Sequence, residues 1–239
     1  NRRYNKKAKE DKKDDKIFSE IVTTDDKERA WALLKGHVEG NIFSELEFVE
    51  SAYTDFLEGF INEDRRTLTK LYRTIRNEKE FFKTKRRKEI TGLKKVDTVV
   101  AVQAGTWFHI ATNNTSQLIY SLRRVLEPCK DHIDNNFNPL PQDCIEEIRP
   151  LAAKLTDLIE KEMNLVKTSV DLSAHLKEIS AYKKEVSAAM ERHINRMRSE
   201  QDSSNLNIYI IYQSILQETW QMADTLTHLA RAVDKLKSL

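Results

Sequence analysis

The chain has 239 residues, enough for one large domain or two small ones, and 40 Lys and Arg against 38 Asp and Glu leave a net charge of +2. That near-balance is no nucleic-acid signature, and without a run of 18 apolar residues the segment does not itself span a membrane. Five Gly and four Pro, with 33% charged and 8% aromatic residues, point to an all-helical protein and argue against a glycine-rich nucleotide cradle.

The first sixteen residues hold eight Lys and Arg against four Asp and Glu and show no apolar periodicity. They read as a solvated tail whose basic bias also suits a juxtamembrane linker, and residues 1–22 are set apart as that linker from a helical domain over 23–239. The chain begins at Asn1 rather than Met, consistent with a fragment of something longer, and no signal-peptide pattern is present. Two cysteines, Cys129 and Cys144, fit a reducing compartment better than a disulfide scaffold.

A first helix starts near Asp25, which has capping-box spacing to Glu28, and its apolar positions from Trp31 to Phe60 step by three or four. The Asn62–Glu63–Asp64 turn leads to a second helix with Leu68, Leu71, Ile75, Phe82, Ile90 and Leu93 inward and a basic run around Lys83–Lys88. A third helix from about Val96 to Asn135 carries two stripes. Leu118, Leu122, Val125, Cys129 and Ile133 form an apolar one, and His109, Asn113, Gln117, Tyr120, Arg124, Glu127 and Asp131 form a polar one.

All four prolines fall between Pro128 and Pro150, which marks the main joint of the chain, and Pro150 should kink or split the fourth helix, Gln142 to Lys167. A fifth helix follows from Asp171 to about Glu200. The Asp202–Asn205 loop then supplies N-caps for a sixth, whose polar line is Tyr209, Gln213, Gln217, Asp224, His228 and Arg231. The expected fold is an all-α, elongated bundle of six long helices in two three-helix halves, about 23–138 and 139–239. The polar lines of the third and sixth helices, with His109, Asn113, Gln117, Arg124, Gln213, Gln217, Asp224 and His228, are expected to form a groove or interface.

Glu127 and Asp131 stand one turn apart on one face, with Asp134 close by, so two hard oxygen donors could share a cation; the bland alternative is that they pair with the basic second helix. Cys129, His132 and Cys144 offer three zinc ligands but no fourth, and buried thiols are more often small hydrophobes. The HIDNN passage, His132–Asn136, reads as a helix end running into a turn, with Asn residues able to take left-handed positions. There is no phosphate loop, nucleophile elbow, HExxH or facing Glu-x-x-His, so an enzyme is not expected.

Three long helices repeated twice, with a carboxylate-bearing third helix, resemble the PhoU fold, where a Glu/Asp-x-x-x-Asp motif closes the last helix of each repeat. Glu127–Asp131 matches that motif, whereas in the second half Met222 follows Glu218 and His228 follows Asp224 at that spacing. Across residues 25–237 the helix order, the passage YSLRRVLEPCKDHIDNNFNPL and the closing YQSILQETWQMADTLTHLARAV look like the C-terminal cytosolic region of bacterial PiT-type inorganic phosphate transporters. That resemblance implies a PhoU-like domain at the cytoplasmic face of the inner membrane, regulating or assembling a cation-coupled phosphate permease. It implies the permease portion of the same polypeptide, and a second copy of the chain, as partners, no nucleic acid, and a divalent or ferric ion at Glu127, Asp131 and Asp134. The alternative is a free-standing PhoU-like adaptor that binds a signalling protein by helix packing.

Overall fold

The structure, a computed structural model, describes residues 2–168, 171–200 and 203–239, with side chains from residue 12 onward and not at 203. Every regular element among them is helical: α1 (Arg2–Thr23), α2 (Lys27–Ile61), α3 (Arg65–Leu93), α4 (Thr98–Asp134), α5 (Gln142–Lys167), α6 (Leu172–Ser199), a 3₁₀ turn (Ser203–Asn205) and α7 (Leu206–Lys237). Four helices begin with an aspartate that accepts from the first free backbone N–H groups: Asp26, Asp64, Asp97 and Asp171. The first of these corrects the expected cap by one residue, because it is Asp26 and not Asp25 that faces Glu28 N and Arg29 N.

The α2–α3 turn places Glu63 at φ 52°, and α4 ends with Asn136 at φ 54°, the left-handed position anticipated for the HIDNN passage. Gly59 sits where the chain doubles back. A Cβ there would lie 3.1 Å from Leu68 Cδ2 and 3.2 Å from Thr67 Cγ2, so glycine lets α3 return closely along α2.

The apolar stripe of α4 is buried as its spacing requires, with Leu118, Leu122 and Cys129 at 0% exposure. It packs along α7, the most extensive helix pair in the molecule, while α2 touches α1, α3, α4 and α5. One continuous hydrophobic cluster runs from Ile21 through Tyr53, Phe56 and Phe108 to Leu236, so the long helices share a core.

Three expectations differ from the structure. The charged start is helical, and its last turns pack: Ile17 and Phe18 are partly buried against the core, Ile21 is fully buried, and Phe18 stands edge-on to His37 at 4.7 Å. Helix α5 runs unbroken through Pro150, which lies well inside it, and Pro128 lies inside α4. Asn205 begins α7 without a side-chain cap; its amide oxygen faces Asn138 Nδ2 at 3.4 Å, and Asp202 lies outside the described residues.

Candidate functional site

At the C-terminal end of α4, the side chain of Arg65, the first residue of α3, acts as a cap. Its Nη2 donates to the carbonyls of Ile133 and Asp134 at 3.1 and 3.0 Å, and its Nε meets the Asp134 carboxylate at 3.1 Å. The other Asp134 oxygen is taken by Lys130. Glu127 accepts from the Tyr72 hydroxyl at 3.1 Å and pairs with Arg123 at 3.4 Å through the same oxygen. Asp131 is exposed.

Glu127 and Asp134 are thus engaged by cations and a phenol, two of them (Tyr72 and Arg65) from α3. Among the described residues no group of three or more His, Cys, Asp or Glu is placed to hold a metal ion. His132 spends its Nε2 on the Asn138 carbonyl at 2.7 Å. Cys129 and Cys144 are fully buried, and burial pushes both thiols up, that of Cys144 to about 12, away from the thiolate that zinc needs.

The two polar lines are only partly brought together. Because the buried stripes of α4 and α7 face each other, the polar lines flank that seam. His109, Asn113, Gln217 and His228 are exposed, and Gln117 and Gln213 are half-buried. From the α4 line Arg124 reaches α7, but at Glu218, off the α7 line: its Nε and Nη2 grip the two Glu218 oxygens at 2.8 and 3.0 Å while Nη2 also reaches Ser121 Oγ. Asp224 turns instead to α6, accepting from Lys183 at 2.5 Å, with His228 at 3.8 Å beyond it. Gln213 Oε1 has no hydrogen-bond partner. Tyr120–Leu140 and Tyr212–Val233, the two passages quoted above, meet where Arg124 pairs with Glu218.

A buried polar cluster joining α1, α2 and α3 was missed. His37, with its side chain 5% exposed, places Nδ1 at 2.8 Å from Glu89 Oε1 and Nε2 at 3.2 Å from Asp14 Oδ1. Asn41 donates to the same Glu89 oxygen at 3.3 Å, and Lys85 stands 3.8 Å from Asp14. Glu89 is fully buried, and its second oxygen and Asn41 Oδ1 have no hydrogen-bond partner. A cleft of about 460 Å³ lies over this cluster, floored by Gly36 and Gly40 and lined by Asp14, His37, Asn41 and Lys85. The signal was in the spacing: His37, Asn41 and Glu45 interrupt the inward face of α2, and Glu78, Lys85 and Glu89 continue the inward face of α3.

A second buried pair, Glu162 with His175, bridges α5 and α6. Scanned against known protein families, the chain matches none, and a search of curated proteins finds no match.

Proposed function

We propose that this chain is a PhoU-like regulatory or assembly module of phosphate uptake, acting from the cytosolic face of a cation-coupled inorganic phosphate transporter. The reading is supported above all by the pairing of α4 with α7. These are the closing helices of the two runs of three, they carry both passages that resemble the transporter region, and the Arg124–Glu218 bridge joins them.

No helix among the described residues is long and apolar enough to cross a membrane, so the permease would be supplied by other residues of the same polypeptide. The module would act by packing on that permease, or on a second copy of itself. In doing so it favours one of two transporter conformations by the difference in its affinity for them. Exposed polar residues along the α4–α7 seam, His109, Asn113, Gln217 and His228, supply an interface that is not already consumed within the chain.

The test is made on the native gene product in its own cells. A product well above 27.9 kDa that pellets with membranes and is released only by detergent supports the reading. A soluble product near 27.9 kDa overturns the attachment to a permease and leaves the free helical adaptor.

A further inference from the structure

The chain's near-neutral charge hides an asymmetry. Helix α3 carries eleven Lys and Arg against three Glu. Several of these cations are neutralised locally: Arg65 by Asp134, Lys85 by Asp14, Lys88 by Asp15. Arg76 and Lys79 are among those that pair with no acidic side chain among the described residues, as are Lys70, Arg73, Lys83, Arg86 and Arg87; what sets these two apart is where they stand. Both line a cleft of about 290 Å³ between α3 and α4, whose other residues are Tyr72, Ile75, Glu80, Ile119, Tyr120 and Arg123.

The cleft has a floor, two walls and donors on both. Ile75 and Ile119 form the floor, each 2% exposed. On the α3 wall Arg76 and Lys79 are one turn apart, and Lys79 reaches across so that its Nζ lies 4.4 Å from the centre of the Tyr120 ring. On the α4 wall stand Arg123 and Tyr120, whose hydroxyl makes no hydrogen bond to a described residue. One Glu127 oxygen holds both Tyr72 and Arg123, at 3.1 and 3.4 Å, and so fixes that wall. The lining holds Arg76, Lys79 and Arg123 with one carboxylate, Glu80, and of the three cations only Arg123 is already paired, with Glu127.

We propose that this cleft is a binding site for a soluble phosphate-bearing oligoanion of the pyrophosphate type. Donors on opposite walls suit a ligand whose oxygens point in several directions, as phosphoryl oxygens do. A carboxylate offers two oxygens in one plane and would leave one wall unmatched. The volume, roughly that of ten waters, leaves room for more than a single tetrahedral group. An apolar floor under a rim of convergent polar groups is also the usual make-up of a small-molecule site rather than of a solvated helix face. The site stands on the cleft alone and holds whether or not the chain belongs to a transporter.

Isothermal titration calorimetry of the full chain with pyrophosphate at fixed ionic strength tests it. The expected result is saturable one-to-one binding. Arg76→Gln and Lys79→Gln should each weaken it by about ten- to a hundredfold, and Tyr120→Phe less, as expected for losing hydrogen bonds to a charged ligand. Lys83→Gln, on the same helix outside the cleft, should leave the affinity unchanged. The proposal is overturned by absence of saturable binding, by equal affinity in the cleft variants, or by sulfate at equal ionic strength displacing pyrophosphate one for one. Parallel sedimentation with phosphatidylglycerol vesicles separates the two sources of phosphate. Binding to vesicles that depends on Arg76 and Lys79, without binding of pyrophosphate, overturns the soluble ligand in favour of a lipid headgroup.

Discussion

Glu162 of α5 and His175 of α6 meet at 2.6 Å with side chains 0% and 1% exposed. Glu162 Oε1 and His175 Nδ1 have no hydrogen-bond partner, so the pair is sealed in without the further contacts that usually offset burial of charge. Burial raises the Glu162 carboxyl from 4.5 to about 7, and the hydrogen bond and charge of His175 offset this only in part.

The consequence is a pH dependence of unusual sign for a carboxylate. The folded protein keeps this proton to higher pH than the unfolded chain does. Its contribution to stability is complete below about 4.5 and is lost as pH rises to about 7, a change on the order of 3 kcal/mol. Glu162→Gln keeps an acceptor for His175 and removes the titration. Urea unfolding between pH 4.5 and 7 should show the wild type losing its advantage over the variant as pH rises; parallel curves would exclude this.

The Asp14–His37–Glu89 chain is the buried polar tie between α1, α2 and α3, beside the exposed pairs Glu20–Arg29 and Asp15–Lys88. His37→Ala leaves two buried carboxylates without their shared partner, and breaking a buried pair in this way costs about 3 to 5 kcal/mol. Asp14→Asn removes only the outer link, so α1 should loosen while the rest of the bundle stays intact. Hydrogen exchange reads this directly: faster exchange confined to α1 is expected in the Asn variant, and unchanged protection there would contradict the tie.

Between α2 and α7, the Tyr53 hydroxyl and Thr219 Oγ1 meet at 2.7 Å at 1% and 0% exposure, and burial pushes the phenol up to about 12. Tyr53→Phe should destabilise by roughly 1 to 3 kcal/mol because it strands the Thr219 hydroxyl in the core. Adding Thr219→Val should recover part of that loss. A double-mutant cycle on thermal unfolding checks it, and strictly additive effects would show that the two hydroxyls do not interact.

Arg124 and Glu218 make the opposite case. The pair is bidentate, yet Arg124 is 45% exposed, so solvent screens it. Glu218→Ala should change stability by less than about 1 kcal/mol. If the α4–α7 seam docks on a partner, the same change should affect association far more than folding, which comparing melting temperature with membrane co-fractionation would reveal.

The helices themselves were written locally. Asp64 before α3, the three-and-four spacing from Leu118 to Ile133, and Asn136 in a left-handed turn all depend on neighbours within one or two turns, so periodicity and side-chain chemistry suffice to read them. The end of α1 shows the converse. Ile17, Phe18 and Ile21 are too short a stripe to announce a helix, and they form one because α2 and α3 offer a surface to bury them.

What the sequence by itself determined was therefore the all-α class, the order of the long helices and most of their inward faces, since these follow from local hydrogen bonding and the burial of one stripe per helix. Tertiary structure alone decided which polar residues meet. Nothing local tells His37 that Glu89 lies fifty-two positions away, gives Glu127 to Tyr72, or sets Arg76 and Lys79 opposite Arg123. Those pairings depend on how each helix is rotated about its axis, and that rotation is fixed only when all the apolar stripes are buried together in one shared core.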